Sequence, residues 1–402
     1  MHLPSLKAVG SLLLAAAATL AARPALASTP QIGFWAGESI SLCLGYDPVT
    51  CPRNTANYTP ALWSLLKQNN SFLYFDLVYG SDFGPASPGA NQRTDGLALI
   101  QQANANGVPV SVWLTMPLAL GLFENQQNAQ QTQAAVQALY AWIGQNGLKV
   151  DQVVLDLEFP AGYQILNEVI TGNLAGAEAL ASANLNPAAQ CTAMGIYRDT
   201  ITWAHQHGMK IAGSPLPFSL DDVANGNMAV QSLLGMVNYP PFGYDALYNQ
   251  AYRAEGVDLG SGYVASIYSK MQQYFGPNGQ VTIGSTQIPP YNTVGPVITD
   301  VEMLAGLGAT TIPVFDLDGS VAAYGLGGIQ QIFNAAQTPL SGPALASATQ
   351  LSLLGSAALA AYNDLQVFAA DATPWVTAAQ LNLQYPNAYP NGCGDMSAAP
   401  LN

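Results

Sequence analysis

The chain has 402 residues, half of them hydrophobic and only 8% charged, with a formal net charge of −14. That apolar content supplies a sizeable core and excludes global disorder. So few cations exclude the basic footprint that nucleic acids or anionic membranes require.

The first 27 residues form a removable address. Lys7 gives a positive start, residues 12–20 an alanine-rich apolar run, and Ala25-Leu26-Ala27 the small-residue cleavage pattern. The run is too short to span a bilayer, and no later segment reaches about 18 uninterrupted apolar residues, so no membrane insertion is expected. The mature chain is expected to begin near Ser28 and to be secreted or periplasmic.

From there, strand-like and helix-like runs alternate. The expected strands cover residues 31–35, 72–79, 110–116, 152–159, 210–215, 235–239, 281–287 and 311–317. Thr59-Pro60 and Thr94 open helices, the second ending near Asn106-Gly107, and residues 130–145 carry apolar positions at helical spacing. Further helices are expected over 163–170, 193–206, 244–253, 263–275, 297–307 and 326–336. Eight alternations over about 300 residues point to an α/β fold, a (β/α)8 TIM barrel spanning residues 28–338. A doubly wound sheet is the competing layout, but it lacks a phosphate loop: Gly325-Leu326-Gly327-Gly328 follows the last strand and reads as a turn into a helix. The Ala/Asn/Gly-rich stretch 171–190 reads as an excursion on the catalytic side. Residues 339–402 read as an appended tail with one helix near 349–363, packed on the barrel.

Four cysteines allow three connectivities. The short loop between Cys43 and Cys51 favours that pair, which leaves Cys191 with Cys393. Without Cys-x-x-Cys pairs, and with His205 and His207 diverging at a helix end, no metal or other cofactor is expected.

Barrel chemistry gathers at the C-terminal ends of the strands. The fourth strand there is the most telling: Val150-Asp151-Gln152-Val153-Val154-Leu155-Asp156-Leu157-Glu158-Phe159-Pro160 is an apolar strand closing on two acids. Alternation puts Asp156 and Glu158 on one face, about 6–7 Å apart along the chain. Burying such a pair is costly, and one member can stay protonated near neutral pH while the other is charged. Other polar residues at strand ends are Asp76, Tyr79, Thr115, Ser214, Asn238, Tyr239, Ser285, Gln287, Asp316 and Asp318, with Trp35, Trp113 and Phe315 among the nearby aromatic residues. Amides, carboxylates and ring faces suit a sugar. Plain structural roles compete: Asp316 and Asp318 could cap the following helix, Tyr239 could be a core tyrosine, and the aromatics could be core. A serine triad is disfavoured, because both histidines of the mature chain, His205 and His207, precede strand five and no Gly-x-Ser-x-Gly elbow occurs.

These motifs make the chain resemble the family 18 chitinases and endo-β-N-acetylglucosaminidases over residues 31–338. Asp151-Gln152-Val153-Val154-Leu155-Asp156-Leu157-Glu158 matches the closing Asp-x-Glu of the family's Asp-x-x-Asp-x-Asp-x-Glu strand. Gly235-Met236-Val237-Asn238-Tyr239 is similar to its strand-six Met-x-Tyr segment, and residues 308–318 to its last strand, with Phe315 at a usual tryptophan. Val154 replaces the middle aspartate, Asp151 faces the other way, and Leu114-Thr115-Met116-Pro117 replaces Ser-x-Gly-Gly.

The resemblance implies that Glu158 is the general acid, its pKa raised by the apolar strand end and by Asp156. It implies that Asp156 and Tyr239 orient a 2-acetamido group as internal nucleophile. Without that group a second carboxylate is needed, from Asp76, Asp316 or Asp318, at a spacing that decides between retention and inversion. Asp76, Tyr79, Trp35, Trp113, Asn238, Gln287, Phe315, Asp316 and Asp318 are the candidate sugar-binding residues. The expected function is an exported, monomeric glycoside hydrolase. A non-catalytic sugar-binding barrel, or a lyase or esterase, is the alternative.

Overall fold

A computed structural model of the chain describes residues 29–37, 53–86, 93–160, 164–165, 168, 173–238, 243–254, 257–373 and 380. Eight strands form one parallel sheet: β1 (Gln31–Ala36), β2 (Phe72–Val78), β3 (Val110–Thr115), β4 (Gln152–Leu157), β5 (Lys210–Pro215), β6 (Ala246–Gln250), β7 (Gly279–Thr282) and β8 (Thr311–Val314). They run in the order β7-β6-β5-β4-β3-β2-β1-β8. Ile283, just past β7, closes the ring: its N–H donates to the Pro313 carbonyl (3.0 Å) and its carbonyl accepts from the Phe315 N–H (2.9 Å). The fold is the expected (β/α)8 barrel.

Helices follow each strand. They are α1 (Pro60–Gln68), α2 (Asp95–Asn106), α3 (Ala129–Asn146), α4 (Leu174–Asn184), α5 (Pro187–Gln206), α6 (Leu220–Asn225), α7 (Ala229–Leu234), α8 (Ser261–Phe275), α9 (Val294–Gly306) and α10 (Leu317–Ala336). Local chemistry sets their ends. Thr59 accepts the Leu62 N–H (3.2 Å) ahead of Pro60 at the first turn of α1. Gly107, at φ 72°, takes the left-handed conformation that ends α2. The excursion expected over 171–190 is largely helical, formed by α4 and the start of α5.

The sixth strand is the principal correction. Residues 235–239 were expected to form it, and 244–253 a helix. Instead Gly235 ends α7, and the strand is Ala246–Gln250, paired with β5 through Ala212–Ala246 and with β7 through Tyr248–Gln280. Met236 and Val237 are apolar because they are buried outside the sheet; Met236 clusters with α7, Phe159 and Leu216. A buried turn carries the same hydrophobic run as a strand. The seventh strand, expected over 281–287, is shorter and shifted, because the chain leaves the sheet after Ile283.

Beyond α10, helices α11 (Gly342–Ala348) and α12 (Leu353–Ala372) lie against the barrel's helices. Gln366 donates to Asp222 at the α6–α7 junction (2.9 Å), and the Tyr362 and Tyr263 hydroxyls meet at 2.9 Å. The helix near 349–363 thus starts later and runs longer than its apolar spacing suggested.

The barrel interior has two layers. The lower is an aromatic floor of Trp35, Tyr74, Trp113 and Tyr248, with Val154 and Ala212. Trp35 stacks on Tyr74 at 4.7 Å and meets Trp113 edge-on at 5.2 Å. The Phe72 ring fills the space that a side chain at Gly33 would need. Two residues further along each strand, alternation brings Asp76, Thr115, Asp156, Ser214 and Gln250 inward as a polar layer. Val154 therefore belongs to the floor, where a carboxylate would be desolvated among rings. Val154→Asp is expected to lower the free energy of unfolding by about 3 kcal/mol in urea titration at neutral pH. Unchanged stability would show that the floor can host a charge.

Candidate active site

β4 delivers the two acids as its alternation requires. Asp156 is its penultimate residue and is buried; Glu158 follows the strand end and is half-buried. Both oxygens of Asp156 are held. Trp113 Nε1 donates to Oδ2 at 3.1 Å, and Gln250 Nε2 donates to Oδ1 at 2.7 Å. The same amide nitrogen reaches Glu158 Oε1 at 3.4 Å and the Ser214 carbonyl at 3.1 Å. Gln250, the last residue of β6, is thus the bridge between the two acids.

Burial pushes the Asp156 carboxyl above the usual range; Trp113 pulls it back, the nearby Asp76 raises it further, and Gln250 again opposes. Asp76 stands two strands away in the same layer. Thr115 donates to its Oδ1 at 2.7 Å, while Oδ2 lies 3.8 Å from the Arg53 guanidinium and makes no hydrogen bond among the described residues. Burial lifts Asp76 to about 6 against the opposing pull of Arg53 and Thr115. Arg53 itself is fully buried, in ion pairs with Asp82 (2.7 Å) and Asp95 (2.8 Å), and it donates to the carbonyls of Gly37 (3.0 Å) and Asp76 (2.6 Å).

The other two candidate carboxylates at the mouth serve the frame. Asp318 accepts from the Gly37 N–H (3.1 Å), Asn57 (2.8 Å) and Tyr58 (2.9 Å), tying β1 to the approach to α1. Asp316 caps α10 by accepting the Gly319 N–H. Trp35 is a floor residue whose Nε1 donates to Thr282 (3.3 Å). Trp113 belongs to the floor and holds Asp156 as well. Phe315 is half-exposed above it, 5.9 Å from Trp113 and 5.5 Å from Tyr252.

Several expected site residues lie elsewhere. Asn238 is buried behind the barrel wall, donating to Ser219 (3.1 Å) and receiving no strand position. Gln287 is exposed, past β7. Tyr79 is half-buried beyond β2 with its ring 5.8 Å from Phe83. Tyr239 lies outside the described residues, as do Cys43, Cys51, Cys393 and the leader; Cys191 is buried in α5, and no free thiol occurs among the described residues. His205 pairs with Asp245 at 2.9 Å, and His207 stacks on Trp203 at 4.1 Å, both at the opposite end of the barrel.

Three residues enter the site that sequence reasoning passed over. Gln250 and Tyr252 were assigned to a helix over 244–253; the alternating Tyr248, Gln250 and Tyr252 were the strand signal. Glu124, fully buried in the loop after β3, accepts the Asp156 N–H at 2.7 Å, and nothing in its local sequence distinguishes it from a solvated loop acid. A cleft of about 420 Å3 opens along the loop after β3, walled by Leu118, Phe123, Asn125, Gln131, Phe159 and Gln164 among others; its wall is uncharged and includes none of Glu124, Asp156 and Glu158.

No protein-family model and no curated protein sequence matches the chain. Among solved structures it is similar to a GH18 chitinase from Pseudoalteromonas aurantia, with 13% identity, a TM-score of 0.42, and coverage of 75% of this chain and 99% of that one. It is likewise similar to the catalytic domain of a GH18 chitinase from the fern Peteris ryukyuensis, with 16% identity, a TM-score of 0.41, and coverage of 76% and 98%. An HMG-CoA lyase from Brucella melitensis is similar at 12% identity and a TM-score of 0.41, covering 82% and 98%.

Two expectations follow from the site. Buried carboxyls with raised values bind protons more tightly folded than unfolded, so their contribution to stability is full below the unfolded value and is lost as pH rises. Asp76 and Asp222, both lifted from 3.8 to about 6, set the window, and Glu124, Asp300 and Asp318 move the same way; Asp95, lowered by Arg53 and Arg93 despite its partial burial, opposes them. Urea midpoints should therefore fall between pH 4.5 and 7.5, and a rise would contradict this electrostatic picture. Separately, Gln250→Leu removes a donor from Asp156 Oδ1. The Asp156 titration midpoint, followed by carboxyl 13C NMR, should move up by about one pH unit, the scale of one lost charge-assisted hydrogen bond; no movement would show that the amide does not hold the carboxylate.

Proposed function

We propose that the protein is an exported glycoside hydrolase in which Glu158 is the general acid and Asp156 its partner. One observation carries this reading: Asp156 and Glu158 share one face at the C-terminal end of β4, and one amide, Gln250 Nε2, donates to both. Asp156, buried, is fixed from two sides, whereas Glu158, half-buried, stands at the open end of the strand. An acid that must meet a substrate oxygen needs that second position.

In this proposal the Glu158 proton passes to the glycosidic oxygen, and the C1–O bond breaks with its electron pair going to that oxygen. The nucleophile is the substrate's own 2-acetamido oxygen, oriented by Asp156, and water then opens the cyclic intermediate. The state of the other carboxylates supports a substrate-borne nucleophile. Asp316 caps a helix, Asp318 accepts three hydrogen bonds, and Asp76 is held by Thr115 beside Arg53, so each already has a structural task. Tyr239 is the tyrosine that the resemblance assigns to the acetamido group, and Tyr252, two residues past Gln250 and beside the Phe315 ring, is a second candidate for that role. Phe315 offers a ring face to a sugar, and the uncharged cleft that begins at Phe159, the residue after Glu158, suits a neutral glycan chain. Disulfides among Cys43, Cys51, Cys191 and Cys393, and a secreted or periplasmic location, belong to the same reading.

The test is turnover of a glycan panel that includes chitin oligosaccharides and peptidoglycan. Glu158→Gln is expected to lower kcat by about 10²- to 10⁴-fold while leaving the fold and substrate binding intact. Undiminished turnover in that variant would reject Glu158 as the acid. Saturable binding by the wild type without any product would favour a sugar-binding barrel instead.

A further inference from the structure

The end of β4 has a support problem. On one side β5 pairs with it as far as Leu157–Pro215, but on the other β3 pairs only as far as Leu114–Leu155. From Asp156 onward that edge would present unpaired backbone groups at the place where the two acids must be held. Glu124, from the loop between β3 and α3, fills this edge. Its N–H donates to the Asp156 carbonyl (2.9 Å), and its carbonyl accepts the Glu158 N–H (3.2 Å). Its side chain turns back so that Oε2 accepts the Asp156 N–H at 2.7 Å. One residue thus satisfies three backbone groups of the segment that carries both acids.

Resting on the hydrolase reading above, we propose that Glu124 is a positioning residue: its side chain locks the β4 end in the register that turns Asp156 and Glu158 together to the barrel mouth. The loop around it is secured independently. Asn128 donates to the Leu120 and Phe123 carbonyls (2.8 Å each), the Gln126 N–H donates to the Gly235 carbonyl (3.1 Å), and the Tyr197 hydroxyl donates to the Asn125 carbonyl (3.2 Å). The Glu124 side chain is therefore not what holds the loop, and its remaining role is the contact to Asp156. Its other oxygen, Oε1, is buried without a hydrogen bond among the described residues. Burial and then the nearby Asp156 favour the neutral acid, against the pull of the Asp156 N–H, so an uncharged side chain that keeps the acceptor should substitute for it. The same loop supplies Leu118, Phe123 and Asn125 to the cleft, so Glu124 also joins the cleft wall to the catalytic strand.

The experiment compares Glu124→Gln, which keeps the acceptor, with Glu124→Leu, which removes it, and Glu124→Asp, which keeps the acid but shortens its reach. Two quantities are read in the full mature chain: amide hydrogen exchange over residues 152–159, and kcat and KM on the glycan that the wild type cleaves. Glu124→Leu and Glu124→Asp are expected to speed exchange in that segment and to lower kcat about 100-fold with KM within about threefold, the scale of a small misplacement of reacting groups. Glu124→Gln should match the wild type in both. Exchange unchanged in Glu124→Asp, or kcat unchanged where exchange is faster, would overturn the proposal, as would a Gln variant as impaired as the Leu one. Should Glu124→Leu fail to fold, Glu124→Asp and Glu124→Gln carry the comparison. A wild type inert on every glycan refutes the hydrolase reading, and the exchange measurement then decides on the clamp alone.

Discussion

The structure turns on the hydrogen bonds that hold Asp156 between an indole and an amide. A carboxylate inside a barrel is tolerable only if its lone pairs are met, and Trp113 from the adjacent β3 and Gln250 from β6, beyond β5, meet them. Trp113 can do this because it is also part of the aromatic floor, so its ring is fixed by Trp35 and Phe315 before it donates. Gln250 can do it because it closes β6 with its side chain turned into the barrel's polar layer. The floor, the strand register and the acid pair are thus one arrangement: polar atoms above a dry layer of rings, with Glu158 at the rim.

The same economy governs the rest of the mouth. With ten lysines and arginines in 402 residues, cations are scarce, and one of them, Arg53, is buried among Asp76, Asp82 and Asp95. It sits where β1 and β2 end and ties the Gly37 and Asp76 carbonyls together. The acids near it are thereby structural partners of a buried charge, which leaves Asp156 and Glu158 as the pair bridged by a neutral amide. Breaking such a buried cluster is costly, because it strands an uncompensated charge.

Much of this was legible in the sequence, and the exceptions have physical causes. An apolar β-branched run ending in acids marked β4, Asn106-Gly107 bounded α2, and apolar positions at helical spacing marked α3. The sixth strand lies later than expected because Met236 and Val237 are hydrophobic for a different reason, burial outside the sheet, while Tyr244, just before β6, and Leu247 and Tyr248 within it mimic helical spacing. The amide that reaches the acid pair is accordingly Gln250 of β6, while Asn238 is buried outside the sheet. Val154 looked like a defect in a motif; in the fold it is a floor residue packed among rings. Glu124 was illegible for a deeper reason: its importance comes from the point where β3 stops pairing with β4, which no local pattern encodes.

The role proposed for the Asp156–Glu158 pair at the end of β4 is to deliver a proton to a glycosidic oxygen, with water completing the cleavage. The most direct measurement is mass spectrometry of the products formed from chitin oligosaccharides and peptidoglycan in ¹⁸O-enriched water. Hydrolysis at this site yields shortened glycans whose newly formed reducing end carries one ¹⁸O. Unsaturated products without the label, or bound glycan that is never cleaved, would contradict it.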